Sequence, residues 1–211
     1  TAELIRPILR GRDIKRYGYE WADLWIINTH NGIKGKLPRI DVNEYPTIKA
    51  HLDQYWDKIS KRADKGDTPY NLRNCAYMEE FNQPKMLYPD IMRLPRSKEK
   101  MNLYPYFVID KKQYIPEATL FMMTGKSIEL ICNFLCSQIG FFTFTRFYMG
   151  PVFDDTGFRY KKEYLLNLPI PYIENQDSET YDNILSITLG LTENEKELIF
   201  SYKDTLLFDD K

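Results

Sequence analysis

A few side chains in this sequence are of types that perform chemistry, and each can be tested against the spacing its mechanism demands. Gly125-Lys126-Ser127 has the ending of a phosphate-binding loop, in which successive backbone N–H groups cradle an anion. That cradle needs a glycine where this chain has Leu120, so the nest cannot form. His30 and His51 have no nucleophile and acid at motif spacing, which leaves a hydrolytic triad without support. The paired carboxylates Glu79-Glu80 and Asp154-Asp155 could hold Mg²⁺ in principle, but adjacent acids also serve as solvated surface or helix caps. Cys75, Cys132 and Cys136, with only two histidines, assemble no four-ligand zinc cluster at recognisable spacing. The expectation is a chain with no catalytic residue, no cofactor and no metal of its own.

What the chain does hold is charge, unevenly placed. Residues 1–173 carry 26 Lys+Arg against 20 Asp+Glu, a net charge of +6, whereas residues 174–211 carry 3 against 10, a net charge of −7. A basic body suits neutralisation of phosphates, and an acidic end would be repelled from them and turn towards a protein. With 43% hydrophobic and 28% charged residues the composition is that of a globular protein, and no apolar run approaches the ~18 residues of a membrane span. No membrane partner is expected. An odd cysteine count points to reduced thiols and a cytoplasmic location, and a start at Thr1 reads as a piece of a longer protein.

The elements that must position these groups are legible in part. Residues 22–28 read as a strand ending in a turn at Asn31-Gly32. A helix follows from Pro46 to about Arg62, with Ile48, Leu52, Tyr55, Trp56 and Ile59 on one face, a stripe read as core-facing. Strand-like segments recur at 85–92, 105–109 and 119–123. A second, greasier helix runs from an N-cap at Ser127 to about Arg146. Leu168-Pro169-Ile170-Pro171 stops regular pairing, and 178–206 reads as one or two helices interrupted near Gly190. The pattern predicts an α+β fold, with a mixed or largely antiparallel sheet, packed helices and a C-terminal helical segment. Two domains are expected: 1–173, facing nucleic acid, and 174–211, an acidic helical spacer or docking segment.

Seven blocks in a fixed order carry a resemblance. They are Leu9-Arg10-Gly11-Arg12-Asp13-Ile14-Lys15-Arg16-Tyr17; Trp25 to Ile33; Tyr45 to Leu52; Pro69 to Tyr77; Phe81-Asn82-Gln83-Pro84-Lys85; Thr124-Gly125; and Phe158 to Leu165 running into Leu168-Pro169-Ile170-Pro171. Together these resemble the TaqI-like C-terminal specificity domain of type IIG restriction-modification enzymes and adenine-specific DNA methyltransferases. The closing Leu-Pro-Ile-Pro followed by helix is also similar to the ends of recognition domains in type I specificity subunits. The resemblance implies sequence-specific binding of double-stranded DNA. It also implies a methyltransferase domain upstream in the same chain, which flips an adenine and methylates its N6 in a bacterial or archaeal cytoplasm. S-adenosylmethionine, and Mg²⁺ if a nuclease is fused, would belong to that parent. The chain itself has no glycine-rich turn for S-adenosylmethionine and no Asn/Asp-Pro-Pro-Tyr/Phe loop, Asp67-Thr68-Pro69-Tyr70 being the nearest approach.

Reading DNA needs Arg, Lys, Asn or Gln at base edges and further basic groups on phosphates. Tyr70, Arg73, Lys85, Arg93 and Arg96 are candidates because aromatic and basic groups interleave there in loops or strand ends. Asn28, Thr29, His30 and Asn31 at a strand–turn junction either contact DNA or satisfy the turn itself. Arg159, Lys161 and Lys162 are assigned to phosphates, and Arg10, Arg12 and Arg16 either to phosphates or to ion pairs with Asp13 and its neighbours. The stretch from Met92 to Lys112 matches the family least and is where target specificity is expected to vary. Two rival readings stand beside this one: a protein-docking module of a specificity subunit, and a nuclease built on the acidic pairs.

Overall fold

The computed structural model describes residues 1–149, 157–173 and 177–206. In chain order its regular elements begin with strands β1 (Ile5–Leu9), β2 (Ile14–Lys15), β3 (Gly18–Tyr19) and β4 (Trp25–Ile27), then helices α1 (Pro46–Asp53) and α2 (Trp56–Ile59). Next come β5 (Lys85–Pro89), β6 (Ile91–Arg93), α3 (Lys98–Asn102), β7 (Val108–Asp110), β8 (Ile115–Pro116) and β9 (Leu120–Thr124). Helices α4 (Ile128–Cys136) and α5 (Gln138–Thr143), strand β10 (Gly157–Arg159), and helices α6 (Lys162–Leu165), α7 (Ser178–Thr188) and α8 (Glu193–Thr205) complete the series. The expected α+β class with a C-terminal helical pair is what the chain adopts.

The chain divides into two units. The first comprises Thr1–Ile8, Asp23–Gln83 and Gln113–Ile115. Here β1 pairs antiparallel with β4, Ile5 opposite Ile27 and Pro7 opposite Trp25. A small apolar centre of Leu4, Val42 and Ile48 gathers Ile27, Ile40, Tyr45, Leu52 and Tyr70 around it. The single helix expected over 46–62 is two, separated at Gln54 and Tyr55, and its stripe is only partly covered: Ile48 is buried while Tyr55 and Trp56 stand exposed. With so little apolar cover, this unit is knitted largely by polar side chains.

The second unit comprises Leu9–Ala22, Pro84–Lys112 and Pro116–Lys211. Its central strand is β5, flanked antiparallel by β7 and β9, with Lys85 opposite both Asp110 and Thr124. All five residues of β5 are buried, as a strand covered on both faces must be. Around it lies an aromatic core, with Tyr104 edge-on to Phe141, Phe107 edge-on to Tyr160, and Phe144 stacked on Tyr160 at 4.5 Å. Such pairs add specific geometry to a large buried area.

The long helix expected over 127–146 breaks at Ser137, and its halves are bent by 79°. Ser137 adopts an extended backbone, and its hydroxyl accepts the N–H of Gly140 at 2.9 Å, capping α5. Asp182, on α7, adds a second cap by accepting the N–H groups of Gln138 and Ile139 at 2.6 and 2.8 Å. Ser127 precedes α4 as expected but in the left-handed region, with no side-chain cap bond. The domain boundary expected after residue 173 falls inside this second unit: Tyr181, Leu185 and Ile199 of α7 and α8 belong to its core. No single helix among the described residues is long and apolar enough to cross a membrane.

Candidate nucleic-acid interface

In the second unit the chain leaves β1 through a turn pinned by one ion pair. The Arg10 guanidinium reaches both carboxylate oxygens of Asp13, at 3.1 and 2.8 Å, and the Arg10 backbone N–H donates to the same group at 2.9 Å. Burial works to raise the Asp13 pKa, but these hydrogen bonds and the nearby charges of Arg10 and Arg12 hold it below the ordinary carboxylate value. The turn is tied down a second time where the Gly11 N–H donates to Thr119 Oγ at 2.9 Å. A Cβ on Gly11 would sit 3.1 Å from that oxygen and 3.2 Å from the Thr119 carbonyl, so glycine permits the close approach. Thr119 is in turn fixed by Glu117, which accepts from its hydroxyl and its N–H. With Arg10 and Gly11 occupied inward, Arg12 stands exposed, with no ion pair among the described residues.

Arg12 opens onto a cleft of about 1130 Å³. Its lining includes Arg10, Arg12, Lys15, Arg16, Arg93 and Lys100 against the carboxylates of Glu20 and Glu117, so the wall is strongly cationic. Arg93 ends β6, which pairs with β10 so closely that a Cβ on Gly157 would lie 2.7 Å from the Met92 carbonyl oxygen. Lys100 is exposed on α3, whose N-cap Ser97 accepts the Lys100 N–H. Two exposed apolar side chains, Ile91 and Leu103, lie among these charges. The cleft thus offers both cations and apolar surface, the two contact types a duplex takes.

Not every cation at the cleft is available. Arg16 donates to the carbonyls of Asn102 (2.8 Å) and Cys136 (2.9 Å) and to Ser178 Oγ (3.0 Å), which makes it a strut of the fold. Lys15 donates to the Arg12 carbonyl at 3.1 Å and lies 3.5 Å from Glu20.

The other sequence candidates fare differently. Lys85 is corrected outright: it is fully buried at the start of β5, the central strand of its sheet, with its ammonium 2.7 Å from Asp110, so it cannot meet DNA without leaving the core. Arg159 is held by Asp90 through two hydrogen bonds of 3.0 and 2.8 Å. Lys161 lies 3.7 Å from Glu163 and over the Tyr164 ring, while Lys162 and Arg96 are exposed but line no described cleft. Lys15 and Lys100 were not singled out by sequence. Lys100 lies in a charged run between the strand-like segments expected at 85–92 and 105–109, where no helix was expected.

In the first unit, candidate residues are mostly consumed by the fold. Asn31 donates to Asp67 Oδ1 (3.0 Å) and Asn74 Oδ1 (2.5 Å) and accepts the Asp67 N–H (2.8 Å), stapling three loops. His30 accepts the Gly32 N–H on Nδ1 at 3.2 Å, and burial pulls its pKa down, favouring the neutral ring. Tyr70 donates to Asp53 at 2.5 Å, with Trp56 against its ring and the Lys49 ammonium over it. Asn28 is half-buried, its N–H given to the Leu4 carbonyl, and Thr29 is buried, its hydroxyl given to Tyr70. Arg73 alone of this group is exposed with no ion pair among the described residues.

A shallower cleft of about 850 Å³ lies here, lined by Asn31 to Arg39 with Asp67 and Asn74 to Ala76. Two of its cations are paired, Lys36 with Glu79 and Arg39 with Asp67. Of the acidic pairs, Glu79 is therefore neutralised, and Asp154-Asp155 lies outside the described residues. Among the described residues no group of three His, Cys, Asp or Glu could hold a metal.

Among known families, the TaqI-like C-terminal specificity domain matches this chain over residues 6–170. No curated protein matches the chain.

Proposed function

On the premise that this chain belongs to the TaqI-like C-terminal specificity domain family, we propose that it reads double-stranded DNA through the cationic cleft of its second unit. A domain of this family is a DNA-recognition module of restriction-modification enzymes and is not itself catalytic. The finer reading places it downstream of an adenine-N6 methyltransferase domain in the same chain. S-adenosylmethionine would be bound in that domain, and Mg²⁺ would be needed only by a fused nuclease.

The observation that carries this reading is the convergence of Arg12, Arg93 and Lys100 on one open cleft from three separate stretches of chain. Arg12 and Lys100, exposed on a pinned turn and a short helix, suit phosphate contacts that set register. Arg93, at the end of a paired strand, suits a two-pronged contact to a guanine edge, and Ile91 and Leu103 suit apolar contact with thymine methyl groups. Under this assignment Arg93→Ala should cost about 1–3 kcal/mol on the cognate sequence and less on random DNA. Equal loss on both would demote Arg93 to a phosphate contact.

A second role, compatible with the first, is favoured for α7 and α8. Ile187 and Leu198 on these helices are 80% and 61% exposed, among acidic neighbours that DNA would repel. This supports protein docking by the C-terminal segment, and such docking should respond little to the ionic strength that abolishes DNA binding.

A further inference from the structure

Helix α8 lies beyond the residues matched by the family, yet it packs against α3, whose Lys100 lines the cleft. Lys203, in its last turn, is only 4% exposed. Its ammonium donates to the Tyr104 carbonyl at 2.5 Å and lies 5.3 Å from the centre of the Phe141 ring. Tyr104 directly follows the stretch that brings Lys100 and Leu103 to the cleft.

Around that stretch other ties converge. Arg16 holds the Asn102 carbonyl, the Tyr104 hydroxyl donates to the Met92 carbonyl at 2.8 Å, and Lys98 meets Asp204 of α8 at 3.1 Å. Methionine would fill the Lys203 site without the desolvation penalty of a buried ammonium, so packing alone does not account for a lysine there. What the ammonium adds is a directed hydrogen bond to one carbonyl.

We propose that Lys203 is a positioning residue for DNA recognition: through the Tyr104 carbonyl, α8 fixes the turn after α3 and thereby sets Lys100 and Leu103 on the cleft wall. This rests on the reading of the cleft as a duplex site. On that reading the acidic C-terminal segment shapes the recognition surface from behind without touching DNA.

The test is Lys203→Met in the full chain, with amide hydrogen exchange and duplex binding as paired readouts. In the free protein the amides of residues 101–104 should exchange faster while those of α4 stay protected. In binding, Lys100→Ala should weaken the unaltered chain but add little in the Lys203→Met background. Arg12→Ala, on the separate Gly11–Asp13 turn, should lose the same factor in both backgrounds to within about two-fold.

Unchanged exchange at 101–104, or a Lys100→Ala loss equal in the two backgrounds, overturns the positioning role. Failure of the unaltered chain to bind any duplex instead overturns the function beneath it, and the exchange result tells the two failures apart. Asp204→Ala, an exposed change that cuts the tie to Lys98, repeats the cycle without touching the core. It should give the same pattern at smaller amplitude, and strict additivity there also counts against the proposal.

Discussion

The two units of this chain use their polar residues in opposite ways. In the first, a centre of three buried apolar side chains leaves most of the cohesion to Asn31, Asn71, Thr29 and Arg62, whose side chains tie one loop to another through backbone and side-chain partners. In the second, an aromatic core built on β5, α4 and α5 supplies the cohesion, and Arg12, Arg93 and Lys100 are left at the surface. A polar residue in a loop-rich sequence is therefore ambiguous, since it is drawn into the scaffold wherever apolar burial is scarce. Where burial is ample, cations such as Arg12 and Lys100 stay exposed at the surface.

The contrast can be broken at its base. Phe141→Ala, deep in the second core, should cost about 3–5 kcal/mol. Asn71→Ala should cost about 1–3 kcal/mol, because it strands the Ile40 carbonyl that the side chain now reaches at 3.0 Å. Urea melting of both variants checks the ordering. A larger loss from Asn71→Ala than from Phe141→Ala would reverse the picture.

A pH effect of intermediate size should localise to the second unit. Burial, and then the charge of Arg16, pull the Lys203 pKa down to about 8, with Cys136 and Asp182 opposing. An unfolded lysine titrates near ~10.4, so between those values the folded state holds fewer protons and stability rises with pH. Below pH 8 the cost of keeping the ammonium charged is present in full, on the order of 3 kcal/mol. Lys203→Met should remove this contribution, flattening the stability profile of the chain between pH 8 and about 10.4. An unchanged slope would mean the lysine is better solvated than its burial implies.

The smallest effect belongs to exposed pairs in the first unit. Lys49→Met, which loses a 2.8 Å contact to Asp53 between two partly exposed side chains, should leave the urea midpoint nearly unmoved.

How much of this was readable in advance follows the same divide between local and distant causes. The interruption near Gly190 was legible because its signals are local: a glycine with φ of +64° and a reciprocal cap between Thr192 and Glu195. The break at Ser137 was not, since one of its caps comes from Asp182, far along the chain, and the apolar periodicity runs straight through. Lys85 was misread for a similar reason. Nothing beside it in sequence reveals that β5 is a central strand with Asp110 waiting as its partner. Arg12 and Arg93 were picked separately on residue type, but that they share a cleft, with Lys100 beside them, is a property of tertiary packing alone.

The most direct test of the cleft is the salt dependence of duplex binding by the chain and by its Arg12→Ala/Lys100→Ala double variant. If both side chains sit on phosphates, the slope of log affinity against log salt should become shallower by about 1.8 on cognate and random DNA alike. An unchanged slope would contradict the account and move the interface off the second unit's cleft.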